Sequence, residues 1–162
     1  MNPQGECANT VEFRLASDPK LLKIIRSGIA HLCELIGFTA EQRNQTTLAV
    51  DEACTNIIKH AYSGKNDKPI IITTRLLEDG IQIVLRDFGK KSDQASIKSR
   101  DLEDIRPGGL GVHLIRSTMD VVTYDSSPKI GNQLILTKYR APNRTQMEQP
   151  ANPEKPTENQ YS

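Results

Sequence analysis

One segment of the chain, LAVDEACTNIIKHAY, carries polar side chains at a regular spacing inside an otherwise apolar run. Glu52, Asn56 and His60 lie four residues apart, so on an α-helix they share one face. An Asn oxygen is a hard, uncharged ligand suited to Mg²⁺, and a neighbouring carboxylate can accept a proton from a hydroxyl group. The stripe is thus a candidate for metal binding and proton transfer. On spacing alone, the simpler interpretation is a polar side that faces solvent.

The apolar residues beside this stripe are spaced in the same way. They form a small-residue side that can pack against a core: Ala49, Ala53, Ile57 and Ala61. A polar stripe at the border of a core needs hydrogen-bond partners or a ligand.

A second pattern, Asp87-Phe88-Gly89, follows directly on a predicted strand. A carboxylate at a strand end could accept the hydrogens of an adenine amino group, and the glycine allows close approach to the backbone. The three letters also match the magnesium motif of eukaryotic-type protein kinases. That match is accidental, because the chain has no V-A-I-K strand and no H-R-D loop. By itself, Asp-x-Gly after a strand is most often a turn.

The third pattern is RPGGLGVHLIRSTMD, in which Gly108, Gly109 and Gly111 open a predicted helix. Backbone N–H groups at such a helix start can face phosphate oxygens. The string is not a Walker loop, and it lacks the G-x-G-x-x-G order of a dinucleotide site. A glycine-rich tight turn is the alternative for a string this short.

These patterns lie on elements predicted in the order β-α-α-β-β-loop-α-β-β, which indicates an α/β two-layer sandwich whose mostly antiparallel sheet is covered on one face by helices. Ser17-Asp18-Pro19 predicts a helix start, and Thr39 with Gln42 predicts a capping box for a second helix that runs to about Tyr62. Periodicity predicts strands at 11–15, 70–77, 81–85, 121–124 and 134–139, and helices at 21–36 and 110–119.

Composition predicts how the chain is divided. Residues 1–9 are expected to be a flexible N-terminus, residues 10–140 one folded domain, and residues 141–162, rich in Pro and polar residues, a disordered tail. Within the domain, the charged stretch 90–106 suits a mobile loop.

Overall charge and cysteine content exclude several classes. The 162 residues contain 21 basic and 20 acidic side chains without a block of one sign, so neither a nucleic-acid surface nor a membrane surface is predicted. The N-terminus has no signal-peptide pattern and no window could span a membrane. Three widely spaced cysteines favour reduced thiols over disulfides or zinc, and a cytoplasmic location is expected.

Together and in order, DEACTNIIKHAY, RDFG and PGGLGVHLIRSTMD resemble the N, G1 and G2 boxes of the GHKL ATPase superfamily, and most of all its anti-sigma-factor serine kinases. The resemblance covers roughly residues 10–140 and implies the Bergerat ATP-binding fold, with ATP or ADP and Mg²⁺ as cofactors.

The resemblance also implies roles for individual residues. Glu52 resembles the catalytic base, Asn56 the magnesium ligand and Asp87 the carboxylate that reads adenine, whereas a structural role for His60 is at least as plausible as catalysis. The stretch 90–106 resembles the lid that closes over the nucleotide. The remaining implied nucleotide contacts are Gly89, Gly108, Gly109, Leu110, Gly111 and Val112.

Two positions depart from the family pattern. Lys91 stands where the G1 box usually has a second glycine, so the resemblance does not imply a nucleotide contact there. Gly131-Asn132 stands where Gly-Thr is common, so an amide would have to replace a hydroxyl. Each departure is compatible with altered affinity or with variation among branches.

The activity implied is transfer of the ATP γ-phosphoryl group to a serine of an anti-anti-sigma protein of the STAS type, by a kinase that also sequesters a sigma factor and forms a homodimer. A nucleotide-gated adaptor without phosphoryl transfer is the alternative, and Lys91 is its best support. The catalytic module of a histidine kinase ranks last, because the chain has no room for the phosphoacceptor helix pair.

Overall fold

A computed structural model describes residues 9–91, 110–125 and 127–140 of the chain. The predicted lid from residue 92 onward, Gly108, Gly109, residues 1–8 and the tail 141–162 lie outside the described residues. The helices and strands are β1 (Thr10–Ala16), α1 (Leu22–Leu35), α2 (Ala40–Asn56), β2 (Pro69–Leu76), β3 (Gly80–Arg86), α3 (Leu110–Thr118), β4 (Val121–Asp125) and β5 (Gln133–Tyr139). Their order is the predicted one.

The five strands form one sheet in the order β1-β2-β3-β5-β4. Every neighbouring pair is antiparallel. The β2–β3 and β4–β5 hairpins meet in the middle of the sheet, where β3 pairs with β5 and Arg86 lies opposite Gln133. This pairing brings the chain that follows β3 beside the chain that precedes β5.

The helices cover one face of this sheet. Residues of β2 and β3 that point to this face are buried, at alternate positions along each strand: Ile70, Ile72, Thr74, Ile81, Ile83 and Leu85. The helices supply the other half of the core: Ile25, Ile29, Ala49, Val50, Ala53 and Ile115. The predicted two-layer α/β sandwich is therefore confirmed.

Local capping explains where the helices begin. The Asp18 side chain accepts a hydrogen bond from the Lys20 N–H and starts a 3₁₀ turn that leads into α1. Thr39 and Gln42 form the predicted capping box at the start of α2.

The end of the second helix differs from the prediction of one continuous α-helix to about Tyr62. The α-helix ends at Asn56 and a π-helical segment, Ile57–Ala61, follows. Tyr62 N–H bonds to the Ile57 carbonyl at 3.0 Å, which is the i to i−5 pattern of a π turn. Residues after Asn56 are consequently displaced from the faces that an α-helix would give them.

Two of the cysteines lie in the core as free thiols. Burial raises the pKa of Cys33 to about 11 and that of Cys54 to about 12. Both thiols stay protonated near neutral pH and pack as small apolar side chains.

Candidate active site

Two of the three residues of the predicted polar stripe lie together on α2. Glu52 and Asn56 are half-buried, beside the buried Ala49 and Ala53, as the sequence predicts. His60 is exposed and lies in the π-helical segment, so it does not continue the stripe. The chemically useful pair on this helix is Glu52 and Asn56, one α-helical turn apart.

Glu52 lies against the first turn of α3. A Cβ atom added to Gly111 would stand 1.9 Å from the Glu52 Oε1 atom and 2.6 Å from its Cδ atom. Only a glycine therefore leaves room for the carboxylate at this place. The structure thus brings the candidate base of the N box into contact with the glycine-rich helix start.

The remaining residues of that helix start are placed differently. Leu110 is 72% exposed and Val112 is half-buried.

Asp87 is a buried carboxylate at the end of β3, with 3% of its surface exposed. Its Oδ1 accepts hydrogen bonds from the Gly89 N–H at 2.9 Å and from the Asn132 amide at 3.0 Å, and its Oδ2 lies 3.2 Å from the same amide nitrogen. Burial raises the pKa of Asp87, and these donors oppose that shift. A carboxylate placed and supported in this way is suited to accept hydrogens from a ligand amine.

The segment that carries Asp87 is fixed to the end of the second helix. A Cβ atom on Gly89 would stand 2.3 Å from the Ala61 carbonyl oxygen, and the Lys90 N–H donates to that oxygen at 2.9 Å. The Tyr62 hydroxyl accepts from the Phe88 N–H at 2.8 Å and donates to the Pro69 carbonyl at 2.5 Å. These contacts join Asp87 and Gly89 to the helix that carries Glu52 and Asn56.

We expect Tyr62→Phe to destabilise this junction. The change leaves the Phe88 N–H and the Pro69 carbonyl without the hydroxyl, and an unpaired buried polar group costs about 1–3 kcal/mol. Urea denaturation should show that loss, and ATP affinity should fall because the Phe88 backbone next to Asp87 loses its hydrogen bond to the Tyr62 hydroxyl. Tyr124→Phe is the control, since Tyr124 lies on β4. Unchanged stability and affinity in Tyr62→Phe would contradict this role.

Basic side chains of the same region hold the loop between β4 and β5. Arg86 donates to the Asn132 carbonyl at 2.8 Å and to the Ile130 carbonyl at 2.5 Å, and its guanidinium lies 4.7 Å from the Phe88 ring centroid. The Lys91 ammonium donates to the Pro128 carbonyl at 2.6 Å. Lys91 at the second-glycine position therefore binds this loop.

Sequence reasoning missed Tyr62, Arg86 and the contact of Lys91. All three lie in or beside the quoted patterns, but no role was assigned to Tyr62 or Arg86, and the partners of all three include backbone groups distant in the sequence. Only the antiparallel pairing of β3 with β5 could have indicated that the Arg86 side chain meets this loop.

Among the described residues, a magnesium ion would find few protein ligands. In the parts of the chain that the structure describes, no group of three or more His, Cys, Asp or Glu side chains could hold a metal. The Asn56 oxygen on a half-buried helix face is a suitable single ligand for Mg²⁺, which commonly takes its other ligands from phosphates and water. The residues present therefore fit a metal brought in with a nucleotide.

Comparison with known proteins defines the class. Residues 15–138 match the family of histidine kinase-like ATPase domains. The chain thus contains an ATPase domain of this type. Serine-protein kinase RsbW of Staphylococcus aureus is 35% identical over 138 residues, and the same kinase of strain bovine RF122 / ET3-1 is 36% identical over 139 residues. Each alignment covers 80% of this chain and 86% of the relative. The chain belongs to the RsbW family of ATP-dependent serine-protein kinases.

A solved structure supports the fold. The RsbU and RsbW domains of Rv1364c from Mycobacterium tuberculosis align with a TM-score of 0.59 at 13% identity, over 80% of this chain and 32% of that one. The chain thus spans about a third of that longer protein.

None of the helices in the described ranges has the length and apolar character needed to cross a membrane.

Proposed function

We propose that the chain transfers the γ-phosphoryl group of ATP to a serine of a STAS-type anti-anti-sigma protein and, in the same regulatory cycle, sequesters a sigma factor by partner switching. The observation that carries the catalytic part is the contact between Glu52 and Gly111. It places a carboxylate at the helix start whose backbone N–H groups are suited to the phosphates.

Catalysis would depend on positioning and on charge. Backbone N–H groups at the start of α3, with Gly108, Gly109 and Gly111 lacking side chains, would bind phosphate oxygens. Mg²⁺ held by Asn56 would supply charge neutralisation when bound. Glu52 would accept the proton of the substrate serine late in the transfer.

The adenine end of the site lies at Asp87. Its carboxylate would accept the amino hydrogens of adenine, with Gly89 allowing the base to approach the backbone. Support for this assignment comes from its burial and from donors that favour the ionised form. A buried carboxylate that can accept one more hydrogen bond is suited to bind a ligand in addition to stabilising the fold.

The other parts of the proposal follow from the family. We place the kinase domain at residues 10–140, expect a homodimer in the cytoplasm, and assign 90–106 as the lid. The adaptor alternative depended on Lys91, whose ammonium is bound to the Pro128 carbonyl. That contact gives Lys91 a structural role, so Lys91 is no longer an argument for the adaptor.

The test is label transfer from γ-labelled ATP with Mg²⁺, in the presence and absence of candidate anti-anti-sigma proteins of the same genome. We expect one partner to be labelled on one serine. ATP binding without transfer to any candidate would favour the adaptor instead.

A further inference from the structure

The Asn132 side chain lies directly against the proposed adenine-reading carboxylate. Its amide nitrogen is 3.0 Å from Asp87 Oδ1, 3.2 Å from Asp87 Oδ2 and 2.9 Å from the Lys90 carbonyl oxygen. An amide carries two hydrogens, so one is shared by the two carboxylate oxygens and the other is directed to Lys90. Asn132 thereby links the carboxylate to the backbone where the proposed lid begins.

The backbone brings Asn132 to this place. Beyond the last paired residues of β3 and β5, Asp87 N–H bonds to the Asn132 carbonyl at 3.1 Å and Asn132 N–H bonds to the Asp87 carbonyl at 3.3 Å. The approach requires Gly131, which has a φ of 68° and whose added Cβ would stand 2.1 Å from the Asp87 carbonyl oxygen. Residue 132 is therefore held opposite residue 87.

An amide in this position has a chemical consequence. An ionised carboxylate is a stronger acceptor than a protonated carboxyl group, and hydrogen bonds donated to it favour the ionised form. Asn132 donates to both oxygens and so also restricts rotation of the carboxylate. A hydroxyl at this position could donate only once, and would not reach both the carboxylate and Lys90.

We propose that Asn132 is a positioning residue for base recognition: its amide holds the Asp87 carboxylate in the orientation that accepts the adenine amine. The inference rests on the proposed function, because it requires Asp87 to read adenine. Asn132 acts through Asp87, so its loss should weaken discrimination at the amino group more than binding of the phosphates.

The experiment compares MgATP with the Mg²⁺ complex of purine riboside triphosphate, which lacks the amino group, by calorimetry. Wild-type protein should prefer ATP. Asn132→Ala should lose about tenfold or more in ATP affinity, the effect of one hydrogen bond to a charged group, and little for the analogue. Asn132→Thr, with a single donor, should show an intermediate preference.

Gln133→Ala is the matched control, because the neighbouring Gln133 amide donates to the Asp125 carboxylate at 2.8 Å. It should keep the wild-type preference. Thermal melting checks folding, and the Thr variant serves for the comparison if the Ala variant is unstable.

The inference is overturned if the Asn132 variants bind both nucleotides with an unchanged preference, whether affinity is kept or lost equally. A different result, wild-type protein that binds both nucleotides equally, would reject the assignment of Asp87 to adenine and with it the task proposed for Asn132. Failure of wild-type protein to bind either nucleotide would reject the ATP site as a whole.

Discussion

Glu52→Gln is expected to lower phosphoryl transfer by about 10²- to 10⁴-fold, the usual contribution of a general base. The amide has nearly the same shape as the carboxylate but cannot accept the serine proton. ATP affinity should stay within about twofold, since the phosphates are bound by other groups. Single-turnover transfer to the partner protein and calorimetry with MgATP measure the two quantities.

Asp51→Asn is the matched control for this change. Asp51 is the adjacent carboxylate on α2. It is not on the Glu52 face, because its Oδ1 atom lies 3.2 Å from the Nε atom of Arg26 on α1. Its replacement should leave transfer close to wild type. A fully active Glu52→Gln protein would show that another group accepts the proton.

Gly111→Ala is expected to reduce transfer by about 10²-fold, because a displacement of about 1 Å in a catalytic group can cost that much. The new methyl group would stand 1.9 Å from Glu52 Oε1, so the carboxylate has to move. Transfer rate is again the measurement, with circular dichroism to confirm that the protein is folded.

The double variant separates this clash from other effects of the alanine. If the conflict lies between the methyl group and the Glu52 carboxylate, Gly111→Ala added to Glu52→Ala should cause little further loss of transfer. Additive losses in the double variant, or wild-type transfer in Gly111→Ala alone, would mean that the contact does not position Glu52.

Much of the fold could be predicted because its signals are local. The capping box of Thr39 and Gln42, the strands β2 and β3, and the order of elements all follow from neighbouring residues. The π-helical segment could not be predicted, since its residues read as ordinary helix and its contacts are to Lys90 and Gly89 in another part of the chain.

In the candidate site too, residues with local sequence signals could be predicted and contacts between distant segments could not. Residue types and spacing selected Glu52, Asn56 and Asp87, but spacing cannot show that Glu52 meets Gly111, because that contact depends on how α2 packs on α3. For Asn132, the sequence indicated only that an amide replaces a hydroxyl. Its two acceptors became evident from the pairing beyond β3 and β5.

Calorimetric titration of MgATP into wild-type protein and Asp87→Ala tests the central claim, that the three sequence patterns build one ATP site. The account predicts one ATP per chain for wild type and a loss of about tenfold or more in the variant, because a charged hydrogen-bond acceptor is removed. Asp125→Ala, which removes a carboxylate near the edge of the sheet, should bind as wild type does. Equal affinity of wild type and Asp87→Ala, or no binding to wild type, would contradict the account.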